Sequence, residues 1–110
     1  MYTPSRHFDT FFIAGFQFHD GACVVRDIQV GNTLRLQLEE GNPHDPNAVG
    51  IYYAETLLGY IPRDSNELIA NLLRFGHTQV FECRVLQVDT TADPWKQVRV
   101  GLYIRDALKA

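Results

Sequence analysis

The chain has 110 residues, 45% hydrophobic and 12% aromatic, with a formal net charge of −3. That length suits one small domain over 1–110, with its core expected over about 8–106, and the mildly acidic balance argues against strong non-specific nucleic-acid binding, which runs on phosphate neutralisation. No stretch approaches the ~20 apolar residues needed to span a bilayer, and Met1 to Arg6 has no apolar signal-peptide core, so cytoplasmic residence without membrane contact is the default expectation.

Taken in chain order, Phe8 to Phe18 is rich in aromatics and predicts a strand with one buried face, ending at the turn signal His19-Asp20-Gly21. Ala22 to Val30 is ambiguous and could hold a short helical turn leading to Gly31-Asn32. Thr33 to Glu39 alternates at Leu34, Leu36 and Leu38, the mark of a half-buried strand. Ala48 to Tyr53 and Leu57 to Ile61 predict two further strands joined by a tight turn at Glu55-Thr56. Pro62 to Ser65 opens a helix, with Asp64 or Ser65 as N-cap, capping-box spacing from Asp64 to Glu67, an apolar stripe of Leu68, Ile69, Leu72 and Leu73, and Gly76 just past its end. Val80 to Val88 and Val98 to Ile104 are long strands flanking a hairpin tip at Thr90 to Lys96. Strands and helix together predict a mostly β domain with one or two short helices, a small OB-like antiparallel barrel. Leu34, Leu36, Val49, Ile51, Leu72, Val85, Val100 and Leu102 are its expected core.

The segment Asn42-Pro43-His44-Asp45-Pro46-Asn47 places two amides, an imidazole and a carboxylate in six residues. Each proline fixes its own φ and biases its predecessor away from helix, so this loop is stiff before a ligand arrives. A stiff polar loop between two strands is a platform for recognition.

Several pieces in fixed order resemble the HIRAN domain: Ile13-Ala14-Gly15-Phe16 before Gly21, then Leu36-Gln37-Leu38-Glu39 before Asn42 to Val49. Leu58-Gly59-Tyr60-Ile61-Pro62-Arg63 and the helix Leu68 to Leu73 follow. Together they cover roughly Phe12 to Gly76. The resemblance implies an OB-like barrel that recognises a 3′ end of single-stranded DNA, the family being best known as an accessory module of fork-remodelling helicases. It implies single-stranded DNA with a free 3′-hydroxyl as partner, with a helicase or other repair protein as a further one, and no cofactor.

Carried over residue by residue, the implied nucleic-acid-binding set is Gln17, Phe18, Asn42, His44, Asp45, Tyr60 and Arg63. A carboxylate at Asp45 can accept a hydrogen bond from a terminal 3′-hydroxyl and repel a terminal phosphate; the plainer role is an Asx bond within the turn. His44 stands where the family often has tyrosine, and an imidazole stacks on a base with less area. Gln17 and Phe18 stand where arginine and tyrosine are typical, so one phosphate contact is weakened while a stacking surface is kept, unless Phe18 belongs to the core. Arg63 at a helix start can bind a phosphate. Trp95 at the hairpin tip is either a stacking platform or a lid on the barrel.

Two other functional classes compete with binding of nucleic acid. His7, His19, Asp20, His44 and Asp45 could be drawn into a metal-dependent hydrolase, but their spacings match no common zinc pattern, and no P-loop is present, so no enzyme and no metal are expected. A protein-interaction module fits the acidic charge and the missing site arginine. Cys23 and Cys83 lack metal-site spacing and are expected as buried free thiols rather than a disulfide.

Overall fold

The computed structural model describes residues 5–16 and 24–105. Its strands are β1 (Ser5–Phe12), β2 (Thr33–Leu38), β3 (Val49–Tyr53), β4 (Thr56–Tyr60), β5 (Phe81–Val88) and β6 (Val98–Arg105). They form one antiparallel sheet in the order β1-β6-β5-β2-β3-β4. The helix α1 (Glu67–Arg74) connects β4 to β5, and 3-10 turns occupy Arg63–Ser65 and Pro94–Lys96. At Val24 to Asp27 the chain makes a helical turn, with Asp27 N–H donating to the Val24 carbonyl at 2.8 Å.

The strand β2 is shared between two neighbours by alternation. Val85 N–H donates to the Asn32 carbonyl (2.9 Å) and Glu39 N–H to the Ala48 carbonyl (2.8 Å). Even-numbered peptide groups therefore turn toward β5 and odd-numbered ones toward β3. The ladder to β5 holds only Thr33 and Leu34, while that to β3 runs from Arg35 to Leu38. Beyond Leu34, β2 thus parts from β5. The ends of the strand order, β1 and β4, are joined through one residue pair: Ala14 and Tyr60 exchange two backbone hydrogen bonds of 2.8 Å each. The arrangement is compatible with an OB-like barrel whose closing contact is local.

That contact depends on Gly59. A Cβ there would stand 2.4 Å from the Ala14 carbonyl oxygen and 2.6 Å from Ile13 Cγ2. Only glycine lets the segment after β1 lie against β4, the close backbone approach that a glycine inside a strand often marks.

Six of the eight expected core residues, Leu34, Val49, Ile51, Val85, Val100 and Leu102, are buried; Leu36 and Leu72 are half-buried and pack against the core from its edge. Full burial of side chains such as Ile51 and Leu58 contributes about 1.5–3 kcal/mol each.

Several boundaries differ from expectation. The first strand begins at Ser5 and ends at Phe12, shifted by a bulge between His7 and Asp9 that re-aims its side chains. The turn after β3 falls at Ala54-Glu55, with Ala54 at φ 51° and Thr56 already in β4. Asp64 and Ser65 belong to a 3-10 turn, and the N-cap of α1 is Asn66, whose side chain makes no cap bond. The helix buries Ile69 and Ala70 and packs Leu72 and Leu73 against the core, so Ala70 takes the place in the stripe expected of Leu68, which is exposed. Its end is a Schellman motif, with Gly76 at φ 90°, Gly76 N–H donating to Leu73 (3.0 Å) and His77 N–H to Leu72 (2.9 Å). Trp95 is half exposed at the hairpin tip and lids no core.

Candidate nucleic-acid interface

The proline-bearing loop between β2 and β3 is held by its own side chains. Asn42 Oδ1 accepts from the backbone N–H of His44 (2.8 Å) and of Asp45 (3.0 Å), and Asn42 Nδ2 donates to Glu39 Oε1 at 3.0 Å. Asp45 Oδ1 accepts from Asn47 N–H at 2.9 Å, the Asx bond of the plainer reading. Its other oxygen, Oδ2, accepts from Asn66 Nδ2 at 2.9 Å and lies 3.6 Å from Arg63 Nε.

The segment after β4 supplies the second set of restraints. Arg63 Nη2 donates to the His44 carbonyl (3.2 Å), and Arg74, reaching back from the last turn of α1, donates to the Pro46 carbonyl (2.8 Å) and to Asn47 Oδ1 (3.2 Å). The loop is therefore tied to the segment from the 3-10 turn through α1 by three residues, Arg63, Asn66 and Arg74. Asn66, only 2% exposed, is the one buried polar side chain among the described residues, and its bond to a carboxylate is of the stronger, charge-assisted kind.

Between loop, β4 and the segment after β1 opens a cavity of about 270 Å³. Asn42, His44, Asp45, Tyr60 and Arg63 line it, with Ala14, Gly15, Ala48 and Ile61 as wall. Five of the seven residues carried over from the family thus share one pocket, although they span more than twenty positions of sequence. Gln17 and Phe18 lie outside the described residues.

The pocket's electrostatics are nearly balanced. The Arg63 side chain is 73% exposed and that of Asp45 17%, so the cation faces solvent while the anion sits in the wall. Tyr60 Oη donates to Glu39 Oε2 at 2.6 Å, which fixes the ring. Burial, with the Glu39 hydrogen bond and charge behind it, pushes the Tyr60 phenol up to about 12, so it stays a neutral donor at physiological pH.

Three participants escaped the sequence reading. Asn66 and Arg74 have no role there, and Glu39 stands only at the end of the strand expected over Thr33 to Glu39. Only Asn66 carried a local signal, as an amide at a cap position. Among the described residues no group of three or more His, Cys, Asp or Glu gathers as a metal site; His19, Asp20 and Cys23 lie outside them. Cys83 is a buried free thiol, pushed up to about 12 by burial and by the neighbouring Glu82 charge. No helix among the described residues is long and apolar enough to cross a membrane.

Comparison with known proteins places this geometry. The chain is 31% identical over 77 residues to a Fanconi-associated nuclease 1 homolog of Oryza sativa subsp. japonica, a match that covers 66% of this chain but 8% of that much longer protein. Its fold resembles the crystal structure of a structural-genomics protein from Lactobacillus plantarum, with a TM-score of 0.76 and 26% identity over 93% of this chain and 96% of that one. The family model of the HIRAN domain matches residues 8–105, nearly the whole sheet and the entire pocket, and the chain belongs to the HIRAN domain family.

Proposed function

We propose that this chain is a nucleic-acid-binding module whose Asp45 pocket receives the 3′-hydroxyl end of a single DNA strand. Membership of the HIRAN family, a family of DNA-binding modules, supports nucleic-acid binding in general. The observation that carries the finer reading is the convergence of a wall carboxylate, an exposed guanidinium and two ring side chains on one cavity.

Each group has a role its chemistry suits. A carboxylate has about four lone-pair sites, and the turn, Asn66 and Arg63 do not use them all, so Asp45 accepts the terminal hydroxyl. Arg63 meets the last phosphate from the solvent side. His44 and Tyr60 offer ring surface to the terminal nucleotide, at roughly 1–3 kcal/mol per stacked base. A 3′-phosphate brings negative charge against Asp45 and binds worse. The module catalyses nothing in this reading. It delivers strand ends to a helicase or another repair enzyme, and the appearance of a matching segment in a protein named as a nuclease supports that accessory role.

The test is fluorescence anisotropy with short strands that differ only in a 3′-hydroxyl or 3′-phosphate. The hydroxyl end binds more tightly, and Asp45→Asn, which removes the charge while an amide can still serve the turn, narrows the gap. Equal affinity of the unmutated protein for both ends overturns the end-recognition mechanism. Absence of binding even at low salt moves the assignment to a protein-interaction module.

A further inference from the structure

The outward face of the sheet carries a second chemistry, made by residues that do not line the pocket. On β2, β5 and β6 the side chains of Leu34, Cys83, Val85, Val98, Val100 and Leu102 point inward and are buried. By alternation, Arg35, Arg84, Arg99 and Arg105 point outward, and the only outward acid on these three strands is Glu82. Four arginines against one glutamate stand on one face of a chain whose net charge is −3. Ladder register fixes their layout: Thr33 is opposite Arg84, and Arg84 is opposite Gly101. Arg35 follows the last β2 residue paired with β5, and Arg99 is opposite Gln87 just past a bulge in β5, so Arg35, Arg84 and Arg99 come from three adjacent strands of one face.

Two of these arginines are held by the same device used twice. Tyr52 lies down over Gly50, and Tyr103 over Gly101: a Cβ on either glycine would come within 3.0 Å of Tyr52 Cε1 or 2.9 Å of Tyr103 Cε1. Each flattened ring carries a guanidinium, Arg35 Cζ 4.4 Å from the Tyr52 centroid and Arg84 Cζ 4.3 Å from that of Tyr103. Arg35 also bonds Gln37, and Arg84 bonds Glu82. A stacked guanidinium loses little further freedom when it meets a ligand. Where β2 parts from β5, a cavity of about 410 Å³ opens between Arg35 and Arg105; its mouth has Thr33, Thr78 and Gln79 and no acidic residue, and its wall is apolar, Leu34 and Phe81 of the core among it.

We infer that this outer face binds the phosphate backbone of a nucleic-acid strand, as a contact separate from the Asp45 pocket and indifferent to strand ends. The charge pattern selects a polyanion, and the flat stacked guanidinium planes offer bases a surface to lie on, as aromatic sheet faces do for single strands. Arg35 and Arg99 carry the phosphates; Arg84, partnered by Glu82, contributes mainly its plane. This rests on the nucleic-acid reading above but not on its end-recognition mechanism.

The experiment compares the wild type with R35Q/R99Q across a salt series, on strands of about 5 and about 25 nucleotides with either 3′ end. On the long strand the variant loses about tenfold in affinity at low salt, and the slope of log affinity against log salt becomes shallower by about 1.4, two phosphate contacts at ~0.7 each. The short strand and the preference for a 3′-hydroxyl are unchanged, and R35K/R99K restores the slope. A folded R35Q/R99Q protein with the wild-type slope on the long strand overturns the inference, even if end preference is intact. Loss of end preference in the wild type with the slope change present overturns only the pocket mechanism, and no wild-type binding overturns both. A polyglutamate competitor as effective as a polynucleotide of equal charge also overturns it, in favour of an acidic protein.

Discussion

The Asp45 pocket and the outer face of β2, β5 and β6 are built in opposite ways. In the pocket, nearly every polar group is committed to a directional bond: Asn42 to two backbone N–H groups, Asp45 to Asn47 and Asn66, Tyr60 to Glu39. On the face, the organising contacts are stacks of arginine on tyrosine, which tolerate small displacements. Directional bonds hold a shape and suit a discriminating site; stacked cations suit a site that sums charge. One small sheet can carry both because they depend on different structural elements, a loop clamped to a helix and the register of three strands.

Substitutions that damage one region and spare the other break this comparison or sharpen it. The largest effect is expected from Gly59→Ala, whose Cβ meets the Ala14 carbonyl and breaks the Ala14–Tyr60 bridge; it should cost about 3 kcal/mol in denaturant unfolding and abolish end preference while the salt slope stays. Next is Asn66→Ala, which removes a buried donor from the Asp45 carboxylate. About 2 kcal/mol is expected, again with loss of end preference rather than of salt dependence. A normal end preference in that variant would show that Arg63 and the Asx bond suffice to orient Asp45.

Gly101→Ala addresses the other region. The new methyl must lift Tyr103 and Leu86, both movable at their far ends, for about 1 kcal/mol; the salt slope on long strands should fall slightly and end preference should persist. Alkaline pH gives the smallest effect near neutrality. Cys83, beneath the face, and Tyr60, in the pocket, both have raised values in the folded protein, so the fold holds their protons more tightly than the unfolded chain does. Stability from this source is complete below about pH 9 and is lost as pH rises toward 12, Cys83 first and Tyr60 from about 10. Thermal melts of Cys83→Ala should lose the earlier part of that decline, and those of Tyr60→Phe the later part.

The two regions also differed in how far they could be read from residues. Asn42, His44 and Asp45 are adjacent, and prolines mark their loop, so their grouping was legible, as were the strands with clean alternation such as Thr33 to Leu38. Tyr60 and Arg63 join them through the pairing of β3 with β4 and the turn that follows, and only the resemblance to a family, not the residues themselves, grouped them with the loop. The helix cap was misplaced because Asp64-Ser65-Asn66 offers three capping residues in a row, and the choice is made by the bond from Asn66 to Asp45. The outer face was illegible for a stronger reason. Arg35 and Tyr52, or Arg84 and Tyr103, are brought together by ladder register, and a one-residue slip would put each on the other side of the sheet. The bulge between His7 and Asp9 is a place in this chain where one extra residue changes which side of the sheet the following side chains take.

The ties that Asn66 and Arg74 make between the proline-bearing loop and α1 with its cap have a kinetic consequence. The amides of His44 and Asp45 are closed by Asn42 Oδ1 and that of Asn47 by Asp45 Oδ1, while Asn66 at the cap of α1 holds the other Asp45 oxygen and Arg74 in its last turn holds the adjoining Pro46 carbonyl. Hydrogen exchange at the Asn47 amide should therefore follow the opening of α1 rather than that of the strands the loop connects. Loop and helix would then melt as one cooperative unit, of lower stability than the sheet. A strand end seated against Asp45 would slow exchange at helix amides it does not touch.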